Sequence, residues 1–188
     1  RVIVEEYVKG SDFRLLIIDG KFVAAARREP AHVKGDGKSS IATLIDEVNK
    51  DPRRGFGHEK VLTQIEIDDM TERLLWQRGL SSLSVPLKGE TIYLKTTANL
   101  SQGGTATDVT DEINPEIRLM AERTARIIGI DVVGVDVLAD DISLPLDQSG
   151  LKVVEVNAAP GFRMHLEPTH GQPRNVATPL VDMLFPVG

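Results

Sequence analysis

Two short apolar segments decide the fold of this chain: GIDVVGVDVLAD at 129–140 and LKVVEVNAAPG at 151–161. Both are rich in valine, and a polar loop containing Asp, Pro, Gly and Ser separates them. Apolar runs of this length, bounded by turn residues, are typical of strands. The two segments therefore predict neighbouring strands of one sheet.

Three oxygen-bearing side chains interrupt these apolar segments. Asp136 faces away from the valines of the first strand, and Glu155 and Asn157 face away from Val154 and Val156, because side chains alternate along a strand. If the strands pair, the three side chains converge. Two carboxylates and an amide oxygen without His or Cys suit Mg²⁺, which also binds phosphate oxygens. The alternative is a half-exposed strand whose polar face meets water.

Several stretches resemble one enzyme family. GVDVL at 134–138 and VVEVNAAPG at 153–161 resemble the metal-binding core of the ATP-grasp ligases. EVNAAPGFRMHLEPTHGQPRN at 155–175 is similar to the cyanophycin synthetases within that family. AHVKGDGKSSIATLI at 31–45, followed by DPRRG, resembles a segment that the cyanophycin synthetases share with bifunctional glutathione synthetases.

The resemblance implies an α+β ATP-grasp fold, in which helices back an antiparallel sheet. Residues 1–28 and 92–188 would form the nucleotide- and metal-binding lobe, and 29–91 an inserted small helical module that acts as a lid. A docked subdomain without motion is the alternative for the insert. The implied cofactors are ATP and Mg²⁺, with Mg²⁺ held by Asp136, Glu155 and Asn157. VEEYVKGSDFR would hold adenine and ribose through Glu5, Glu6, Tyr7, Val8 and Asp12.

Three further residues are candidates for catalysis. Arg163 follows the metal strand directly after a Pro-Gly stop, where a guanidinium can bind a phosphate or carboxylate. Asn99 opens the glycine-rich turn NLSQGGT, which can present amides to an anion. Arg28 completes the set. Arg174 is predicted to bind anions as well, and His165 and His170 are expected at the surface or at the substrate, since no third zinc ligand accompanies them.

The function implied by the resemblance is ATP-dependent formation of an amide bond through an acyl phosphate. For the cyanophycin synthetases, the acceptor is the polyaspartate backbone of an Asp-Arg polymer primer, and the added amino acid is aspartate. A glutathione-synthetase-like or glutamate-adding ligase and a non-catalytic nucleotide-binding module stay open as alternatives. The implied partners are a neighbouring Mur-ligase-like domain and further copies of the chain.

Composition bounds these interpretations. The 188 residues carry a net charge of -6 and no cysteine, which excludes disulfides and thiolate chemistry and argues against nucleic acid as the partner. No apolar run reaches the roughly 20 residues of a membrane span, and we expect a cytoplasmic protein. The start within an apolar segment, without Met, suggests a piece of a longer chain.

Local patterns predict the remaining elements. Residues 2–28 should form buried strands with a turn at Gly20-Lys21, and Ile92–Asn99 a further strand. Helices are expected over 41–50 after a cap at Ser39 or Ser40, over 69–79 with Asp69 and Glu72 as a capping box, from Asn114 to Gly129, and from about Thr178.

The resemblance also predicts how this stretch behaves by itself. It places a phosphate-binding lysine and glycine-rich loop in a preceding lobe, without which the triphosphate stays in water and each charge contact weakens. We expect the 188 residues to fold, to bind ATP weakly and to release no ADP, even with Mg²⁺, primer and aspartate. Adding the upstream region should restore activity in an ADP-release assay. Aspartate-dependent ADP release by the 188 residues would contradict this prediction.

Overall fold

The computed structural model describes residues 2, 4, 7–57 and 59–186. These residues form two compact units, the first built from 1–27 with 107–188 and the second from 28–106. The module predicted for 29–91 lies within the second unit, which continues to Ala106. Its role as a moving lid stays a prediction.

The described residues contain the following strands and helices, given in chain order. The strands are β1 (Ser11–Ile18), β2 (Lys21–Glu29), β3 (His32–Lys34), β4 (Arg54–Gly55), β5 (Leu62–Thr63), β6 (Thr91–Tyr93), β7 (Thr105–Asp108), β8 (Val132–Ala139) and β9 (Lys152–Asn157). The helices are α1 (Ile41–Asn49), α2 (Asp69–Gln77), α3 (Pro115–Ile128), α4 (Arg163–Leu166) and α5 (Ala177–Leu184). None of these helices is long and apolar enough to cross a membrane.

The main sheet has five strands in the order β7-β2-β1-β8-β9. β8 lies antiparallel to β1 on one side and to β9 on the other, so the antiparallel sheet predicted from the sequence is confirmed. β1 and β2 form the predicted hairpin, but its turn is Asp19-Gly20 rather than Gly20-Lys21. Both turn residues have positive φ, 52° and 67°, which matches the twist of a two-residue hairpin.

Helix α3 covers one face of this sheet, as its sequence pattern predicts. Asn114 caps the helix by accepting a hydrogen bond from the Glu116 N–H, and Gly129 ends it. Ile117, Ala121 and Ala125 pack against the odd-numbered residues of the two central strands. These are Phe13, Leu15 and Ile17 of β1 and Val133, Val135 and Val137 of β8.

The opposite face of the sheet has a smaller apolar cluster. Leu16 and Ile18 of β1 pack there with Val176, and Leu180 and Met183 of α5 lie against them. Val181 and Leu184 of the same helix are exposed. The α5 side of the sheet is also the side on which Arg14 and Asp136 alternate with apolar residues.

A β-bulge interrupts the pairing of β8 with β9. Asp136 pairs with Glu155, but the next residue, Val137, pairs with Val153, so that Val154 has no partner in the ladder. Val154 and Val156 were predicted to point the same way, but Val154 lies at the bulge and is 62% exposed, whereas Val156 is half-buried. Glu155 still pairs with Asp136, and Val156 still pairs with Val135.

The buried strand predicted at residues 2–8 is not seen among its described residues. Val2, Val4, Tyr7 and Val8 belong to no strand, and Tyr7 is 85% exposed. Glu5 and Glu6, to which the prediction assigned adenine binding, lie outside the described residues. The first described strand begins at Ser11 and includes Asp12, which is half-buried.

The second unit has its own core around α1 and α2. Ile41 and Ile45 of α1, Leu75 of α2 and Ile92 of β6 are fully buried in it. Ser40 caps α1, as predicted, but α2 is capped by Asp68 and not by the predicted Asp69. The strand predicted over 92–99 is shorter, because only Thr91–Tyr93 pairs, with β3.

Arg174 fastens a loop of the first unit to the end of β7. Its guanidinium donates to the Asp108 carboxylate, with Nη2 2.6 Å from Oδ2, and Nη2 lies 2.7 Å from Oδ2 of Asp111. The Asp108 N–H donates to the His170 carbonyl at 2.9 Å, so backbone and side chain hold the same loop. The prediction that Arg174 binds an external anion is therefore wrong.

This ion pair makes the stability of the fold dependent on pH. Burial alone would raise the pKa of Asp108, but hydrogen bonds from Arg174 and Thr110 outweigh it and lower the pKa below its usual value. A lowered carboxyl pKa stabilises the fold above the unfolded pKa of about 4, and the contribution is lost as pH falls through the folded pKa.

We expect Arg174→Met to lower the free energy of unfolding by about 2 to 3 kcal/mol at pH 7, because it leaves Asp108 buried without its cation. The difference from wild type should shrink as the pH falls from about 5 to 3, where Asp108 becomes protonated. Chemical denaturation at several pH values measures both effects. Arg123→Met, at an exposed position of α3, is the matched control. A difference that does not vary with pH would contradict the role given to Asp108.

Candidate functional site

A row of three charged side chains crosses the sheet on the face opposite α3. Arg14 of β1 is the register partner of Asp136 in β8, and Asp136 is the partner of Glu155 in β9. Directly opposed residues of antiparallel strands project to the same face. The pairing of β1, β8 and the edge strand β9 therefore brings Arg14, Asp136 and Glu155 together.

Arg14 and Asp136 form a buried, two-pronged ion pair. Nε of Arg14 donates to Oδ1 of Asp136, and Nη2 donates to Oδ2 at 2.9 Å. Both residues are 7% exposed. The parallel hydrogen bonds of such a pair fix the orientation of the carboxylate as well as its charge. Arg14 was not among the residues selected from the sequence.

Gly134 provides the space for this ion pair. A Cβ atom at this position would lie 2.9 Å from Cδ of Arg14 and 2.8 Å from Cβ of Pro160. Real Cβ contacts are not that short, so a side chain here would push the guanidinium away from Asp136. Gly134 and Pro160, which belong to the two segments that decide the fold, thus shape the same site.

Asn157 joins the site from the end of β9. It is the register partner of Gly134, and its Nδ2 donates to Oδ2 of Asp136 at 3.3 Å. Glu155 is exposed beside it. The convergence predicted for Asp136, Glu155 and Asn157 is therefore present in the strand register.

The donor set of this site fits a hard cation in its chemistry. It offers the exposed carboxylate of Glu155, the amide oxygen of Asn157 and the oxygens of Asp136, which are the ligand types that Mg²⁺ prefers. Both Asp136 oxygens also accept from Arg14, so a cation there has to share this carboxylate with the guanidinium. Among the described residues, no group of three His, Cys, Asp or Glu side chains forms a metal cluster. Metal binding stays a prediction.

Arg163 and His165 follow the metal strand in the short helix α4. Arg163 is half-buried, and the neighbouring Phe162 packs against the apolar cluster of Leu16 and Ile18. His165 is 1% exposed, so a surface position is wrong for it, and contact with the substrate stays a prediction. His170 is exposed and holds its loop to β7 through its backbone.

The other predicted site residues are distributed over both units. Tyr7, Val8 and Asp12 belong to the first unit, and Arg28 and Asn99 to the second. Arg28 is half-buried near the end of β2. Asn99 is exposed, and its Nδ2 donates to Oγ1 of Thr97 at 3.3 Å. The roles proposed for these five residues stay predictions.

Comparison with known proteins identifies the class of this fold. Residues 95–184 match the RimK-like ATP-grasp domain. The bifunctional glutathione synthetase of Pasteurella multocida has a similar structure, with a TM-score of 0.80 and 31% identity over 96% of this chain and 24% of that one. The chain therefore has the ATP-grasp fold, as the sequence predicted, and its residues 95–184 are similar to the RimK-like ATP-grasp domain.

Within this class, the chain is similar over nearly its whole length to cyanophycin synthetase. Identity is 56% with that of Trichormus variabilis and covers 98% of this chain and 20% of the relative. It is 57% with that of Crocosphaera subtropica, over 98% and 21%. The bifunctional glutathione biosynthesis protein of Clostridium perfringens is 35% identical, over 98% and 24%. The chain thus spans about a fifth of the length of these cyanophycin synthetases.

The buried ion pair of the site gives a direct stability test. Arg14→Met should lower the free energy of unfolding by about 3 to 5 kcal/mol, because Asp136 then stays buried without the guanidinium that binds both of its oxygens. The double variant Arg14→Met/Asp136→Val should regain more than half of this loss, since neither partner is then charged. Chemical denaturation followed by circular dichroism measures all three proteins. A double variant as unstable as Arg14→Met alone would show that the lost packing of Arg14, and not the orphaned charge, carries the effect.

Proposed function

We propose that this chain is part of an ATP-dependent carboxylate–amine ligase that forms an acyl phosphate. The observation that carries the proposal is the cluster of Asp136, Glu155 and Asn157 on one face of an ATP-grasp sheet. A cation beside phosphate oxygens requires this kind of oxygen donor set. The chain is 52% to 57% identical in sequence to five cyanophycin synthetases, which supports the same assignment.

Glu155 and Asn157 are the residues best placed to hold Mg²⁺, together with one oxygen of Asp136. When bound, Mg²⁺ would neutralise the charge of the ATP phosphates. Arg14 has a separate role in this proposal. It donates to both carboxylate oxygens of Asp136 and so fixes their orientation, and the carboxylate does not rotate when its second partner binds.

The reaction needs no nucleophile from the protein. A carboxylate oxygen of the acceptor attacks the γ-phosphorus of ATP, and ADP leaves. The amino group of the incoming amino acid then attacks the acyl carbon, the phosphate leaves, and the nitrogen loses a proton. Both steps move negative charge among phosphate and carboxylate oxygens, so catalysis depends on positioning and on fixed positive charge. We assign these roles to Arg163, Arg28 and Asn99, and adenine and ribose binding to Tyr7, Val8 and Asp12 with Glu5 and Glu6.

We propose aspartate as the amino acid and the polyaspartate backbone of cyanophycin as the acceptor. The higher identity to cyanophycin synthetases than to the glutathione biosynthesis proteins supports this choice. A glutathione-synthetase-like activity is the second candidate, because the structural similarity to the Pasteurella enzyme extends over 96% of the chain. The proposal includes a Mur-ligase-like neighbouring domain, a homo-oligomer and a cytoplasmic location, where ATP and free amino acids are available.

An ADP-release assay on the full-length protein tests this function. We expect release that requires aspartate together with a cyanophycin primer, and a product longer by one aspartate per ADP. Glycine, or glutamate, in place of aspartate should give little release. Glu155→Gln should lower the activity at saturating Mg²⁺ by more than about 10-fold, since a direct ligand should matter at least as much as the residues that orient ligands.

Asp147→Asn provides a matched control, because Asp147 is an exposed acid of the loop between β8 and β9 that has no part in the proposed site. It should retain full activity. Release that depends on glycine instead of aspartate would favour the glutathione-like alternative. A protein that binds ATP and releases no ADP with any of these amino acids would be a nucleotide-binding module without ligase activity.

A further inference from the structure

The glycine-rich loop, residues 99–104 (NLSQGG), is held in one conformation by its own backbone. The N–H groups of Gln102 and Gly104 both donate to the carbonyl of Asn99, each at 3.1 Å. Gly103 has a φ of 88°, which side-chain-bearing residues rarely adopt. A Cβ atom on Gly103 would also lie 2.7 Å from Cγ1 of Ile65. The loop therefore fits against Ile65 only with glycine at this position.

A buried arginine reaches this loop from β4. Arg54 is 5% exposed, and its Nη1 donates to the carbonyl of Thr63 at 2.5 Å and to the carbonyl of Gly103 at 3.2 Å. β4 and β5 pair in parallel, with Arg54 opposite Leu62. One guanidinium thus connects the β4–β5 pair to the glycine-rich loop.

The hydrogen bonds of Arg54 within the described residues all go to backbone carbonyl oxygens. Its sequence neighbour Arg53 donates a hydrogen bond to the carboxylate of Asp51, with Nη2 2.8 Å from Oδ2. Burial lowers the pKa of Arg54, but a guanidinium stays protonated. A buried cation bound only to carbonyl dipoles is costly, and an apolar side chain of similar length would fill this space at less cost.

The contact with Gly103 links Arg54 to Asn99. The Gly103 carbonyl and the Gly104 N–H are the two ends of the same peptide group. Arg54 donates to the Gly103 oxygen, and the Gly104 N–H donates to the Asn99 carbonyl. This peptide group cannot turn without breaking both contacts, so the position of Arg54 is transmitted to the backbone of Asn99.

We propose that Arg54 is a positioning residue for the ligase reaction: it locks the Gly103–Gly104 peptide and thereby orients Asn99 toward the anionic group of the substrate. The catalytic part of this proposal depends on the function proposed above, whereas the structural part, the lock on the loop, does not. Arg54 also adds positive charge behind the loop, which favours a phosphate or carboxylate on its exposed side.

A double-mutant cycle in the full-length protein tests the catalytic part. Arg54→Lys keeps the positive charge but loses the planar guanidinium that reaches the carbonyls of Thr63 and Gly103. Because Asn99 is then misplaced, kcat should fall by about 10-fold to 100-fold, with little change in the KM for ATP. In an Asn99→Ala background, the same Arg54→Lys change should cost less than about 2-fold, because residues that act through one another are not additive. Arg53→Lys, at the exposed neighbour, should leave kcat within about 2-fold of wild type.

Hydrogen exchange tests the lock on the loop without any activity. The amides of Gln102 and Gly104 should exchange at least about 10-fold faster in Arg54→Lys, while those of α1 keep the wild-type rate. Equal effects in both backgrounds of the cycle, or a loop that exchanges as in wild type, would overturn the proposal. So would equal acceleration in the loop and α1, which indicates a general loss of stability. Arg54→Gln replaces the lysine variant if that protein does not fold. A wild-type protein without ADP release would refute the proposed function. The hydrogen-exchange result would still show whether Arg54 holds the glycine-rich loop in place.

Discussion

The ion pair between Arg14 and Asp136 constrains the central sheet more than any apolar contact does. Two charges at 7% exposure are tolerable only if they meet with good geometry. They meet because β1 and β8 pair in the register that places Arg14 opposite Asp136. A shift of β8 by one residue relative to β1 would turn Asp136 and the valines of β8 to the other face and leave Arg14 buried without its partner. The pair therefore specifies the register on which the positions of Gly134, Glu155 and Asn157 depend.

Much of this fold depends on local sequence patterns, and the sequence therefore predicts it. The alternation of valines indicates β8, and an Asn-Pro start with a Gly stop indicates α3, because capping and periodicity depend on neighbouring residues only. The bulge at Val154 has no such signal, because a bulged valine in an apolar strand cannot be distinguished from a paired valine by sequence. The α2 cap was misplaced by one position because Asp68 and Asp69 are chemically equivalent, and only the backbone decides which one accepts from Thr71.

The candidate site was predictable to the extent that strand periodicity determines it. Asp136, Glu155 and Asn157 converge because two neighbouring strands alternate. Arg14 was missed because its partner lies 122 residues away and no spacing rule covers that distance. The available signal was a lone charge in each of two apolar segments, FRLLII and GVDVL, and opposite lone charges in buried strands require each other. Arg174 was misassigned for the same reason, since Asp108 lies 66 residues away.

Three of the buried or half-buried arginines, Arg14, Arg54 and Arg174, differ in how their charge is balanced. Arg14 and Arg174 each bind carboxylates, so they hold the chain together and leave little positive charge for a ligand. Arg54 donates hydrogen bonds only to carbonyl oxygens in the described chain, and no carboxylate is hydrogen-bonded to it. The proposed transfer of a phosphoryl group from ATP to a carboxylate needs acidic groups for a cation and basic groups for anions. The Asp136 face can supply the first because Arg14 binds only one of its two acids, and the glycine-rich loop can supply the second because Arg54 has no hydrogen bond to a carboxylate.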